Sequence, residues 1–220
     1  MKEMKRQFAV IGLGRFGTSV ALTLQSLGHD VLAIDSSDEQ VQRLSDQVTH
    51  VVQADTTEEN SLHALGLRNF DAVVVAIGED VQANVATTLL LKEMGVPYII
   101  AKARNSLHGK MLEKIGADRV VYPERDMGQR VAHSLISSNV LDYIELSPDL
   151  SLVEVTVPGV LSGKTLQQAN MRALYGVNVV AIKRIDHLIV PPQPNEQIQE
   201  SDILIVIGST EGIKRLESLG

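Results

Sequence analysis

The 220-residue sequence contains no cysteine and no tryptophan, and only three phenylalanines and four tyrosines. Without cysteine there are no disulfides, no thiol nucleophile and no thiolate-bound zinc. With aromatics at 3%, the cores are expected to be built from Val, Leu, Ile and Ala. No leader-like start and no run of roughly 18 apolar residues is present, so a soluble, cytoplasmic chain is expected. A net charge of -7 with no long Lys/Arg cluster opposes nucleic-acid binding, which needs a basic face. The phosphoryl-transfer signature Gly-x-x-x-x-Gly-Lys-Ser/Thr is missing as well. The six histidines, His29, His50, His63, His108, His133 and His187, are scattered, and none pairs with a carboxylate at a recognisable spacing. No catalytic residue is therefore expected, and the chain is not read as an enzyme.

What is present begins at Gln7. Phe8 to Ile11 is a short apolar run of strand type that stops at Gly12, and Val20, Ala21, Leu24 and Leu27 then recur with helical spacing. A strand turns into a helix across Gly12-x-Gly14-x-x-Gly17. In such a loop the first glycine makes the tight turn, the second lets backbone approach a phosphate, and the third lets helix and strand pack closely. The unpaired N–H groups of the helix start would hold an anion. Asp35 ends the next strand, 18 residues after Gly17, where a carboxylate accepts hydrogen bonds from ribose hydroxyls. An adenine nucleotide is the ligand this spacing predicts. Arg15, inside the loop, is either a solvated helix-start residue or a bidentate partner for further phosphate oxygens.

Strands and helices keep alternating to about residue 121, which predicts a Rossmann-like, doubly wound parallel sheet. Along its carboxyl edge fall Asp55-Thr56, read as a helix cap, a ligand contact or both, and Ala76-Ile77-Gly78. Asn84, Thr87 and Thr88 read as helix-surface polarity, with a place beside the nucleotide as the alternative. Lys102 and Arg104 suit either an exposed strand end or a polyphosphate tail. From Val131 to Ile144 two apolar stripes, Met127/Val131/Leu135 and Ile136/Val140/Ile144, predict a helix that crosses to a second subunit and makes a dimer. Ser147-Pro148-Asp149 then opens a small α+β domain in which Ser151–Val157 alternates and Ile203–Ile207 is a continuous apolar run, expected to be buried on both faces. The division expected is residues 1–122, a crossover and dimerisation segment 123–147, and residues 148–220.

The stretches Phe8-Ala-Val-Ile-Gly-Leu-Gly-Arg-Phe-Gly17, Ala54-Asp-Thr-Thr-Glu-Glu59, Lys92-Glu-Met-Gly-Val-Pro97, Lys114-Ile-Gly-Ala-Asp-Arg119, Pro123-Glu-Arg-Asp-Met127 and Arg172-Ala-Leu-Tyr-Gly176 together resemble the RCK (KTN) proteins. More narrowly, they resemble the cytosolic regulatory subunits of Ktr-type potassium transporters. The resemblance covers nearly the whole chain. It implies a homodimer assembling into an octameric ring, docked on a membrane potassium-translocating subunit of Ktr/Trk type at the inner face of the membrane. ATP would favour the active state and ADP the inactive one. The nucleotide site would comprise Gly12, Gly14, Arg15, Phe16, Gly17, Asp35, Asp55, Thr56, Ala76, Ile77, Gly78 and Lys102. An activating cation (Mg2+, Ca2+ or Na+) would lie between the dimer's nucleotides and Glu124, since two symmetry-related carboxylates with phosphate oxygens offer hard oxygen ligands. The C-terminal domain would bind cyclic di-AMP through Arg172, Val177, Asn178, Val179 and Pro192, although Val177 and Val179 also fit any strand.

An NAD-dependent oxidoreductase is the competing class. A Tyr-x-x-x-Lys spacing occurs at Tyr98 and Lys102, but on a strand it separates the two side chains too far for a proton relay. A redox-sensing repressor would need a helix-turn-helix, for which the lead-in before Gln7 is too short.

Overall fold

A computed structural model describes residues 5–136, 139–147 and 149–219. The lead-in residues 1–4 and Pro148 of the expected boundary lie outside them. The chain divides into two units between Pro123 and Glu124.

The first unit runs β1 (Gln7–Ile11), α1 (Arg15–Ser26), β2 (Asp30–Asp35), α2 (Asp38–Leu44), β3 (His50–Gln53) and α3 (Glu59–Leu65). It continues through β4 (Ala72–Val75), α4 (Val81–Glu93), β5 (Ile99–Lys102), α5 (Ser106–Ile115) and β6 (Arg119–Val121). The strands are all parallel, in the order β3-β2-β1-β4-β5-β6. This is the doubly wound sheet expected from the alternation.

Side chains alternate across it with period two. Ala9, Ile11, Val73 and Val75 face one core with Leu62 of α3, Leu91 of α4 and Leu112 of α5. Val10, Ala33 and Val74 face the other with Ala21 of α1 and Leu44 of α2. The strand order reverses between β1 and β4, so the connections after them diverge and leave a crevice at the carboxyl edge. Asp80 and Asn105 cap α4 and α5 by accepting from the N–H groups of Ala83 and His108, both at 2.9 Å.

The second unit runs α6 (Pro123–Ile136), β7 (Val140–Ser147), β8 (Leu150–Thr156), α7 (Leu166–Ala169), α8 (Met171–Tyr175), β9 (Val177–Arg184), β10 (His187–Ile189), β11 (Ile203–Gly208) and α9 (Thr210–Glu217). Its antiparallel sheet has the order β10-β9-β11-β8-β7. Val153, Val155, Leu204 and Val206 pack under Met171, Ile213 and Leu216.

Two expectations are corrected here. The helix does not continue to Ile144: among the described residues it runs over Pro123–Ile136, and Val140–Ser147 is a strand paired with β8. Val140 and Ile144 have helical spacing by coincidence, and the cross-strand pairing that overrides it is made with residues outside the window. The Met127/Val131/Leu135 stripe survives on α6 and is exposed. Likewise β11 is not buried on both faces, because Ile203, Ile205 and Ile207 are only half-buried while Leu204 and Val206 are fully enclosed.

One ion pair ties the second unit together. Arg184 donates through Nε to Asp202 Oδ1 at 2.8 Å and through Nη2 to Oδ2 at 2.9 Å. Its Nη1 reaches Glu196 at 3.1 Å. Burial works against the Asp202 charge, but Arg184 and the Gln199 N–H hold its carboxyl below the usual range. The depressed pKa makes the pair's stabilisation fully present near neutrality and lost as pH falls through the carboxylate range. Arg184→Met leaves a buried carboxylate unpaired and is expected to cost about 3–5 kcal/mol in urea unfolding at pH 7. A loss within the scatter of surface substitutions, about 0.5 kcal/mol, would contradict that role.

Candidate functional site

The crevice is built on the glycine loop between β1 and α1. Gly12 sits at φ 91°, in the left-handed region, and a Cβ there would lie 2.8 Å from Ile77 N. A Cβ on Gly17 would overlap the carbonyl oxygen of Gly12. Both glycines are therefore demanded by the protein's own packing.

Gly14 is different. Its φ is -65°, and a Cβ would meet nothing within 4 Å. Glycine at this position leaves room in the crevice rather than relieving a clash inside the protein. Gly14 is also the N-cap of α1 and gives it no side-chain cap, while Arg15, Phe16 and Gly17 form the first turn. The start of α1 thus offers N–H donors and the positive end of its dipole to the crevice.

Asp35 ends β2 beside this loop. Its Oδ2 accepts from Leu13 N at 2.6 Å and its Oδ1 from Ser37 N at 2.8 Å. A carboxylate has about four acceptor directions, so lone pairs remain for hydroxyls in addition to these bonds. Arg43 of α2, which nothing in the sequence pattern marks, donates to Leu13 O at 2.9 Å.

Next to Asp35, whose carbonyl accepts from the Ala54 N–H at 3.0 Å, Asp55 is not a helix cap. The N-cap of α3 is Glu58, and Asp55 instead accepts from the N–H and hydroxyl of Thr57 at 2.9 and 2.7 Å. Those two donors, hydroxyl foremost, lower its pKa. Thr56 is buried, its hydroxyl 2.9 Å from that of Thr87. Asn84, Thr87 and Thr88 are fully buried, which corrects their reading as helix-surface polarity. Asn84 Nδ2 donates to Ile77 O at 2.6 Å and Lys102 O at 3.0 Å, tying together the chain segments that follow β4 and end β5. The Lys102 ammonium folds over the β4 end, 3.0 Å from where a Gly78 Cβ would be.

Ala76, Ile77, Gly78 and Lys102 are thereby gathered at the edge that carries Gly12. A separate cavity of ≈ 470 Å³ lies at the amino ends of β1, β2 and β3, lined among others by Gln7, Asp30, His50 and Phe70. It shares no residue with the crevice. Its lining holds neither a glycine loop nor an open helix start.

In the second unit, Glu124 lies exposed in the first turn of α6. No cluster of three or more His, Asp or Glu suited to a metal occurs among the described residues. Arg172 is exposed on α8, and Asn178 is exposed on β9. Val177 is fully buried and Val179 packs on the same core, so a ligand reaches Val177 only through its backbone. Pro192 follows the Val190–Pro191 bend.

The glycine loop, its acidic partner and the two-unit division define a Rossmann-like, dinucleotide-fold domain followed by a small α+β domain. Residues 8–123 match the TrkA-N domain and residues 150–219 the TrkA-C domain. The chain is 52% identical over 214 residues to Ktr system potassium uptake protein C of Bacillus subtilis (strain 168), covering 97% of each chain. It is 48% identical to Ktr system potassium uptake protein A of the same organism, over 98% of this chain and 97% of that one. Among solved structures it superposes on the GsuK RCK domain with a TM-score of 0.70 at 21% identity, spanning all of this chain and 48% of that one, a likeness of fold. The chain belongs to the RCK (KTN) family, among the regulatory subunits of Ktr potassium-uptake systems.

Gly14 and Gly17 separate by experiment. Gly17→Ala is expected to lower the thermal midpoint by several degrees, roughly 2–4 °C per kcal/mol in a chain of this size. Gly14→Ala should leave it within about a degree or two, since its Cβ meets open space. Equal losses in both variants would remove the distinction.

Proposed function

We propose that this chain is a nucleotide-gated subunit that controls potassium flux through a membrane partner of Ktr/Trk type, with ATP favouring the active state and ADP the inactive one. The observation that carries the reading is the vacancy over Gly14 at an uncapped helix start, with Asp35 alongside. Among the described residues no helix is long and apolar enough to cross a membrane, so the flux would run through a separate subunit at whose cytoplasmic face this chain docks.

In this reading the residues take the following roles. The N–H groups of the first turn of α1 hold phosphate oxygens, and Asp35 accepts from the ribose. Arg15 at the first position of α1 supplies a guanidinium for the outer phosphates, and Lys102, folded over Gly78, adds a second cation there. Asp55 and Thr56 adjoin the adenosine. These cations favour a polyphosphate over NAD(H), whose nicotinamide would gain little from them.

A ligand shifts the equilibrium only by its differential affinity for two states, and the one extra phosphate supplies that difference. The states would differ in how copies are spaced. The exposed Met127, Val131 and Leu135 of α6 favour a homodimer through this helix, and the dimers an octameric ring. Glu124 would bind a shared Mg2+, Ca2+ or Na+ with its symmetry mate. In the second unit, Arg172, Asn178, Val179, Pro192 and the backbone of Val177 would take cyclic di-AMP.

Thermal-shift titration with ATP, ADP, NADH and cyclic di-AMP tests this, with stabilisation expected from all but NADH. Stabilisation by NADH alone would make the oxidoreductase reading the correct one. Arg15→Ala is expected to narrow the ATP/ADP difference, measured by competition; an undiminished difference would remove the role given to Arg15. Glu124→Gln should abolish cation-dependent activation of potassium flux in liposomes carrying both subunits, and full activation would exclude it as a ligand.

A further inference from the structure

Leu13 is the residue of the glycine loop whose backbone is held from both sides by side chains. Its N–H donates to Asp35 Oδ2 at 2.6 Å. Its carbonyl accepts from Thr18 Oγ1 at 2.8 Å and from Arg43 Nη2 at 2.9 Å. The same Nη2 also lies 3.1 Å from Thr18 Oγ1, closing a triangle. The Leu13 side chain is fully buried, so the residue cannot turn to escape these bonds.

A trans peptide is planar, and its C=O and N–H point in opposite directions. The Leu13 carbonyl and the Gly14 N–H belong to one such plane. Drawing the carbonyl toward Arg43 and Thr18 therefore aims the Gly14 N–H the opposite way. A cation on the carbonyl also polarises the peptide and strengthens its N–H as a donor. No phosphate contact by Arg43 itself is needed for this.

We propose that Arg43 is a positioning residue for phosphate: it fixes the Leu13–Gly14 peptide so that the Gly14 N–H faces the crevice. The inference rests on the nucleotide reading of that crevice. Asp35 and Arg43 come from consecutive elements, β2 and α2, and grip the two ends of one residue. The ribose acceptor and the phosphate donor are thereby mechanically linked. The ordinary alternative is a surface tie between α2 and α1 that only adds stability.

Titration calorimetry on the full chain distinguishes these, using ADP and, by displacement, adenosine, which has no phosphate. Arg43→Met is expected to weaken ADP by about tenfold or more, as loss of a charge-assisted hydrogen bond does. Adenosine affinity should stay within about twofold, and Arg43→Lys should recover part of the ADP loss. Thr18→Val, which removes the second donor to the same carbonyl, should show the same selective defect and serves if Arg43→Met does not fold. Unchanged ADP affinity in these variants, or equal losses for ADP and adenosine, would overturn the positioning role. Failure of the unsubstituted chain to bind ADP would instead overturn the nucleotide reading on which it stands.

Discussion

The contact on which the first unit depends is the approach of α1 to the end of β1, where Gly17 packs directly on the carbonyl of Gly12. With any side chain at 17 the helix would have to withdraw, and its first turn would no longer open onto the crevice between β1 and β4. Close packing there brings a row of N–H donors to the carboxyl edge of the sheet without any cationic side chain being buried. Burying a charge for that purpose would carry a desolvation cost that a helix start avoids. The side chains around the loop then refine its direction: Asp35 and Arg43 hold Leu13, and Asn84 holds the strand ends opposite.

Much of this was legible in the sequence because the signals are local. Glycine spacing reports backbone demands made within a few residues, and the strand and helix periods around it are equally local. That the strands run parallel follows from the same alternation, but their order, β3-β2-β1-β4-β5-β6, is set by tertiary packing and does not. The ties that aim the loop were not legible, since Leu13 meets Asp35 and Arg43 at separations of 22 and 30 residues. Polarity alone also could not distinguish an exposed Thr from a buried one: Thr87 and Thr88 look like a solvated helix face, yet both are enclosed and bonded. The strand after α6 was misread for a related reason. Val140 and Ile144 repeat at a helical interval, but pairing with β8 decides their conformation.

The second unit has a different character. A bidentate Arg184–Asp202 pair, extended by Glu196, anchors one end of its sheet, while apolar side chains on α6 and on the outer face of β11 remain partly or wholly open. A small domain with open apolar surface gains most of its remaining stability by association. That is the physical ground on which the proposed homodimer, and a nucleotide response in the spacing of its copies, both stand.

The absence of cysteine makes that spacing directly measurable. A single Asn60→Cys on the exposed side of α3 can carry a spin label with no competing thiol, and pulsed dipolar spectroscopy then reports distances between copies. Exchanging ADP for ATP is predicted to move the main distance by more than the about 1–2 Å of a helix shift at a subunit interface. Superimposable distributions with the two nucleotides, or no dipolar signal between copies in either, would contradict the account.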